Sequence, residues 1–133
     1  MSKLIYALLT ADLIVDRDSG GTSYIRTVEH AVVPGFPTAL PALYFASLWD
    51  LDGRQGEPFT VSLSLVSPSG EAVTLGAQEV RPGDTLLHKM NFQLPGLRVE
   101  AEGRHTIAAA VKDGDDWITV AELPLFVFRT PEQ

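Results

Sequence analysis

The 133 residues include no cysteine, which excludes disulfides, thiolate zinc sites and thiol nucleophiles. Basic residues are also scarce: ten stand against seventeen acidic ones, and the net charge is −7. Nucleic acid and anionic lipid both need a basic face, so a surface with this charge should repel them. No apolar run reaches the roughly 18 residues of a membrane-spanning helix. We therefore expect neither nucleic acid nor membrane as a partner.

A secretory signal is another feature that the sequence lacks. Lys3 is followed by a short apolar run, Asp12 comes soon after it, and no small-residue cleavage pattern comes next. We interpret this stretch as part of the mature fold, and the protein as cytoplasmic. The composition, 45% hydrophobic and 20% charged, is typical of a globular protein. A chain of 133 residues predicts one domain, residues 1–133.

The clearest pattern lies in residues 59–66, FTVSLSLV. Apolar side chains fall at every second position and Thr or Ser falls between them, which indicates a strand with one face in a core and one in water. Pro68-Ser69-Gly70 then turns the chain back into Val73 and Leu75, which alternate again. This stretch predicts a β-hairpin from the middle of an antiparallel sheet.

Leu4–Val15 is the most ambiguous segment. Its leucine and alanine content suits a helix by propensity, but a strand that is buried on both faces or crosses between two sheets has the same composition. We favour a strand, because nearly everything downstream has the pattern of a strand.

The rest of the chain alternates strand patterns with turn signals. The predicted strands are residues 22–33, 42–49, 84–94, 105–111 and 117–128, in the last of which Pro124 marks a bulge or an edge position. Residues 34–41 contain three prolines and predict a stiff connector, and residues 76–83 predict a loop. The whole predicts an all-β fold: a single antiparallel β-sandwich of about eight strands with Ig-like or jelly-roll connections.

Several segments together resemble a known group of proteins. They are ALLTAD at 7–12, ALYF at 42–45, SPSG at 67–70, LPGL at 94–97 and GRHTI at 103–107. The chain resembles a group of small uncharacterised bacterial β-sandwich proteins of unknown function. The resemblance implies a β-sandwich in a bacterial cytoplasm, and it implies no activity and no functional residues.

Catalytic and metal-binding patterns are sparse. His30, His88 and His105 lie in no recognised nucleophile or metal-ligand signature, so we expect structural histidines, no enzyme and no cofactor. The weak candidates for a hard cation are acidic turns, which tight turns also select for backbone reasons. These candidates are Asp16, Asp18, Asp50 and Asp52.

Asp12 stands out as a carboxylate within an apolar run. A buried carboxylate must find a partner or shift its pKa. We predict a structural Asp12 that is paired with Arg26 or with backbone N–H groups.

The proline-rich crossover carries an apolar cluster that includes Val33, Phe36 and Leu40. A stiff apolar segment is a good recognition surface, and these three residues are the candidate contacts for a protein partner or a second copy of the chain. Alternatively, the segment straps across the open end of the sandwich and caps its core. The predicted function is a non-enzymatic binding or assembly module acting through loops or an exposed sheet edge. The alternative is a small hydrolase or carbohydrate-binding protein with a carboxylate site.

Overall fold

The computed structural model describes residues 2–131. Within them the chain forms eleven strands and no helix, which confirms the all-β prediction. The strands are β1 (Lys3–Val15), β2 (Thr22–Thr27), β3 (His30–Val33), β4 (Thr38–Ala39), β5 (Leu43–Asp50), β6 (Phe59–Val66), β7 (Ala72–Val80), β8 (Leu87–Leu94), β9 (Arg98–Val99), β10 (Gly103–Asp113) and β11 (Asp116–Arg129). Accordingly, residues 2–131 contain no helix long and apolar enough to cross a bilayer.

The strands form two large sheets and one small one. One sheet has the order β2-β1-β5-β8 and the other β3-β11-β10-β6-β7, while β4 and β9 make a two-stranded pair. In the five-stranded sheet β3 runs parallel to β11. The predicted count of about eight antiparallel strands is corrected here, because β3, β4 and β9 are short strands that carry no long alternation of their own.

One core joins the two large sheets. Apolar side chains from both sheets belong to a single buried cluster. The four-stranded sheet supplies Leu9, Phe45, Trp49 and Met90, and the five-stranded sheet supplies Val61, Leu63, Ile107 and Val127. The predicted hairpin of residues 59–75 is confirmed as β6 and β7, and the odd-numbered residues Val61, Leu63 and Leu65 point into this core.

The ambiguous N-terminal segment is a strand, β1, as favoured from the sequence. Two contacts reveal that β1 bends: the hydroxyls of Tyr6 and Tyr24 lie 2.6 Å apart, and Lys89 Nζ lies 2.9 Å from Thr22 Oγ1. Tyr24 pairs with Leu13, which in a flat strand would lie roughly 23 Å along β1 from Tyr6, at about 3.3 Å per residue. The β1–β2 hairpin therefore curls back over the outer face of its own sheet.

Several predicted boundaries differ from the structure. The predicted strand 84–94 begins at Leu87, and the predicted connector 34–41 contains β4. The predicted strand 22–33 is divided: β2 pairs in the four-stranded sheet and β3 in the five-stranded one. The predicted loop 76–83 is wrong for its first half, because β7 continues to Val80. Gly76 is used for packing instead of turning, since a Cβ at this position would lie 3.1 Å from the Phe92 ring.

Candidate functional site

The outer face of the five-stranded sheet carries two neighbouring phenylalanine rings. Phe126 and Phe128 are two residues apart on β11, so their side chains point to the same side of the sheet. Leu125 and Val127 point to the opposite side and are buried in the core. The two ring centroids lie 6.2 Å apart and the ring planes differ by 9°. Phe128 is 43% exposed, which leaves much of its ring open to solvent.

Cross-strand neighbours extend this pair into a patch. Phe126 lies opposite Arg104 of β10 and His30 of β3, and Phe128 lies opposite Val32. The guanidinium carbon of Arg104 lies 5.6 Å from the centroid of the Phe126 ring, within the range of a cation–π contact. We call His30, Val32, Arg104, Phe126 and Phe128 the aromatic face.

Charge on this face differs from the average of the molecule. Among residues 2–131, Arg104 takes part in no salt bridge; the ion pairs lie elsewhere, at Arg54, Arg81 and Arg98. Of the carboxylates that border the face, Glu102 accepts a hydrogen bond from the backbone N–H of Arg129. The face thus combines a guanidinium that pairs with no carboxylate with the exposed ring of Phe128 and the half-buried ring of Phe126, in a protein whose net charge is −7.

A pocket of about 540 Å³ adjoins the aromatic face and shares His30 with it. It forms where the chain crosses between the two sheets, and Arg26 and Glu29 are its charged lining residues. Arg26 has φ 55°, a left-handed conformation that non-glycine residues seldom adopt. Such backbone outliers concentrate at functional sites, which makes this crossing segment the second part of the candidate site.

The tyrosines Tyr6 and Tyr24 lie away from this site, on the covered side of the four-stranded sheet. Their rings meet edge to face with centroids 6.1 Å apart, and their hydroxyls share a hydrogen bond. Burial, together with the bond to Tyr6, raises the pKa of Tyr24 to about 12.

Tyr24 should therefore ionise late, and the fold should lose stability at alkaline pH. Its pKa is raised in the folded state, so its contribution is fully present below pH 10, the ordinary value, and is lost as the pH rises towards about 12. We expect an ultraviolet absorbance titration to show one tyrosine ionising well after the first. In Tyr6→Phe the hydrogen bond is gone and the late ionisation should move towards pH 10; an unchanged titration would contradict the contact.

The candidate contacts of the proline-rich crossover are mostly inside. Val33 and Leu40 belong to the buried core, which leaves their side chains no surface for a partner and favours the strap account. The Leu40 N–H donates to the carbonyl of Leu97, and β4 pairs with β9, so the crossover is fastened to the loop before β10. Phe36 is partly buried, with the Arg129 guanidinium 5.8 Å from its ring centroid. A partner contact through Phe36 stays a prediction.

The acidic turns use their carboxylates to hold the backbone. Asp16 accepts hydrogen bonds from the Ser19 hydroxyl and the Asp18 N–H, and these bonds lower its pKa. Asp50 accepts from the Asp52 N–H at 2.9 Å. Within residues 2–131, no group of three or more His, Cys, Asp or Glu could hold a metal ion. That the chain needs no metal or cofactor stays a prediction.

The prediction of a buried, paired Asp12 is wrong. Asp12 is exposed and its carboxylate accepts a hydrogen bond from the N–H of Leu13, the next residue. The buried polar residue of this strand is Thr10, whose hydroxyl lies 2.7 Å from the Asp12 carbonyl and 2.8 Å from the Ile25 carbonyl. Because nearly every residue around Asp12 is apolar, the sequence shows no alternation of polar and apolar residues there. It therefore does not indicate on which face of the strand Asp12 lies.

The histidines occupy three different environments. His30 is exposed on the aromatic face, His88 is half-buried on β8, and His105 is buried on β10. Burial lowers the pKa of His88. Sequence reasoning assigned no role to Arg104, Phe126 or Phe128, although apolar residues at four successive positions, 125–128, are a signal that one of the two faces of that strand is exposed and apolar.

Comparison with known proteins gives a fold likeness. No family model and no curated protein matches the chain. Among solved structures, it is similar to the alkylpurine DNA glycosylase AlkC of Pseudomonas fluorescens, bound to DNA containing an abasic site analog, with a TM-score of 0.50 and 10% identity. The likeness covers 96% of this chain and 30% of the glycosylase chain, so it corresponds to a part of that enzyme. At this identity it shows the fold alone.

This finding corrects two sequence-based predictions. The similar protein is a DNA glycosylase bound to DNA, against the prediction that nucleic acid is not a partner. It also overturns the predicted function, a non-enzymatic binding or assembly module with a hydrolase or carbohydrate-binding protein as the alternative. The prediction rested on net charge, which averages the whole surface and does not by itself exclude a local patch that contacts nucleic acid.

Proposed function

We propose that this chain is a DNA-binding domain whose aromatic face holds unpaired bases. The observation that carries the proposal is the parallel pair Phe126 and Phe128 with the Arg104 guanidinium over one ring. Unstacked bases bind to proteins by stacking on aromatic rings and on guanidinium planes. The exposed ring of Phe128, beside the half-buried ring of Phe126 on the same strand, offers such a platform.

The adjoining pocket supplies one guanidinium, that of Arg26, at the edge of the platform, together with the carboxylate of Glu29. Arg26 and His30 line it, and His30 also belongs to the aromatic face. A strand of DNA whose bases stack on Phe126 and Phe128 would run its phosphates past these side chains. Arginine is suited to this contact because its planar fork pairs with two phosphate oxygens at once.

The net charge of −7 makes intact duplex DNA a poor ligand compared with DNA that has unpaired bases. Intact duplex offers mainly phosphates and groove edges, and an acidic protein gains little from phosphates alone. Unpaired bases add a stacking free energy that does not depend on net charge. We therefore propose single strands, and duplexes with an unpaired base opposite an abasic site, as the preferred ligands. The fold likeness to a DNA-bound glycosylase supports this choice of partner.

The proposal also includes the domain architecture of the chain and the question of enzymatic activity. We take residues 1–133 as one domain, a β-sandwich with Ig-like connections, because one core joins the two large sheets. The matched part is 30% of an enzyme, so whether this chain has activity of its own is a separate matter. That the chain is not an enzyme stays a prediction, and an assay for base release from alkylated DNA tests it.

Phe128→Ala should weaken binding of a labelled single-stranded oligonucleotide, measured by fluorescence anisotropy at low salt. Loss of one stacked base costs about 1–3 kcal/mol, so the dissociation constant should rise by about 5- to 150-fold. The control is Leu86→Ala, which truncates another apolar side chain, 72% exposed in the loop before β8 and away from the aromatic face. The wild type should bind single strands most tightly, then the duplex with an abasic site, then the intact duplex.

Comparison of Arg104→Gln with Phe128→Ala separates the electrostatic contribution to the binding free energy from the stacking contribution. Each phosphate neutralised on a single strand contributes about −0.7 to the slope of log K against log salt concentration. If Arg104 also contacts a phosphate, the variant should flatten this slope by about 0.7, which Phe128→Ala should not do. Absence of binding to every DNA, or equal binding by Phe128→Ala and the wild type, would overturn the proposal.

A further inference from the structure

A second pocket, of about 520 Å³, lies at the opposite edge of the five-stranded sheet from β3. It opens between the β6–β7 turn and the segment from β9 to β10. Its walls are largely apolar, and its volume falls in the range of small-molecule sites, about 300–1,000 Å³. We call it the hairpin pocket; the lining residues used below are Leu65, Val73, Leu75, Val99 and His105.

His105 is the unusual member of this lining. Its side chain is almost fully buried, and its Nδ1 lies 3.2 Å from the carbonyl oxygen of Gly103. Because a carbonyl can only accept, Nδ1 is the donor in this contact, and in that tautomer Nε2 is an acceptor. Nε2 is buried and has no hydrogen-bond partner. Leaving a buried acceptor unpaired is unfavourable, so native structures seldom do so without a reason.

Four of the polar side chains around the opening are paired with one another. Arg98 pairs with Glu100 at 2.7 Å, and the hydroxyls of Ser67 and Ser69 lie 2.9 Å apart. The turn is also held tightly against β10, since a Cβ at Gly103 would lie 3.1 Å from the Pro68 ring. The buried unsatisfied acceptor in the lining of the hairpin pocket is therefore Nε2 of His105, whereas the Glu71 carboxylate on the rim is exposed to solvent.

We propose that the hairpin pocket binds a compact, largely apolar molecule that carries one N–H or O–H donor, as indoles and phenols do. The apolar walls take the body of the molecule and His105 Nε2 accepts its donor. Because Nε2 is itself buried, the imidazole ring or the Pro68 turn shifts as the donor enters. This site is separate from the aromatic face, and it is independent of the proposed DNA binding.

The test compares two ligand pairs that differ only in the donor: indole with 1-methylindole, and phenol with anisole. Binding is measured by NMR on protein labelled with ¹⁵N in histidine and ¹³C in the methyl groups. The donor-bearing member should bind up to about tenfold more tightly, the equivalent of one hydrogen bond, and should shift the Nε2 resonance. The methyl resonances of Leu65, Val73 and Val99 should move with it.

Two variants keep the test decisive. His105→Phe should abolish the preference for the donor, and His88→Phe, at a half-buried histidine on another sheet, should leave it intact. Should His105→Phe fail to fold, Val73→Trp fills the opening from a largely exposed position and should abolish binding of all four molecules. The proposal is overturned if the methylated molecules bind as tightly as their partners, or if neither indole nor phenol perturbs the pocket.

Discussion

Trp49→Ala should lower the free energy of unfolding by about 3–5 kcal/mol, as truncation of a buried aromatic residue does. Trp49 is fully buried in the core and its ring lies 5.1 Å, centroid to centroid, from that of Phe59. The ring therefore joins β5 of one sheet to β6 of the other, and its removal leaves a cavity between the two sheets.

A hydrogen-bond chain adds to the cost of this change. The indole N–H of Trp49 donates to Ser47 Oγ at 2.9 Å, and Ser47 Oγ donates to the carbonyl of Met90 at 2.7 Å. Without the indole, Ser47 Oγ loses its donor while remaining buried. Such unsatisfied groups are destabilising in their own right.

Trp117→Ala is the matched control, because the chain has two tryptophans and the side chain of the second is 48% exposed. Exposed substitutions of this kind change stability by about ±0.5 kcal/mol. Urea unfolding followed by circular dichroism measures both variants on the same scale. Equal stabilities of the two variants would contradict the assignment of Trp49 to the core.

The strands and turns that depend on local sequence patterns could be predicted from the sequence. The alternation of residues 59–66 identifies β6 and its inward face, because a strand with one wet face has a period of two. Pro124 was assigned to a bulge or an edge position, and it lies where β11 pairs with β10 and before its pairing with β3 begins. Proline is tolerated at such a position because no neighbouring strand on that side requires a backbone N–H donor.

Non-local features could not be predicted in the same way. The parallel pairing of β3 with β11 joins residues that are 96 positions apart, such as His30 and Phe126. The bend of β1 accompanies contacts that β2 makes with β1 and with β8. Glycine is typical of loops, but Gly76 lies within β7, where the missing side chain leaves room for the Phe92 ring. In each case the deciding interaction is a tertiary one, which overrides local propensity.

The candidate site was missed for a related reason. Phe126 and Phe128 have the same apolar character as Leu125 and Val127, and the side of the strand that is exposed depends on its neighbours. The charge of −7 also argued against nucleic acid, although Arg104 meets Phe126 only once β10 and β11 have paired. A local patch of this kind exists in the folded sheet and has no counterpart in composition.

Leu40→Ala should cost about 2–5 kcal/mol of stability, the range for truncation of a buried leucine. Leu40 is 3% exposed, belongs to the core, and is held by the bond from its N–H to the Leu97 carbonyl. If the proline-rich crossover caps one end of the core, removing this side chain opens that end. Leu86→Ala is the control for stability, since it makes the same change at an exposed leucine.

The same variants separate the strap account of the crossover from the contact account. If the crossover caps the core, Leu40→Ala loses stability in urea unfolding while sedimentation of the folded fraction is unchanged. Phe36→Ser should then cost less than a fully buried phenylalanine would, because Phe36 is only partly buried beneath Arg129. A Leu40→Ala protein as stable as the wild type but weaker in self-association would contradict the strap, and would return Val33, Phe36 and Leu40 to the role of contact residues.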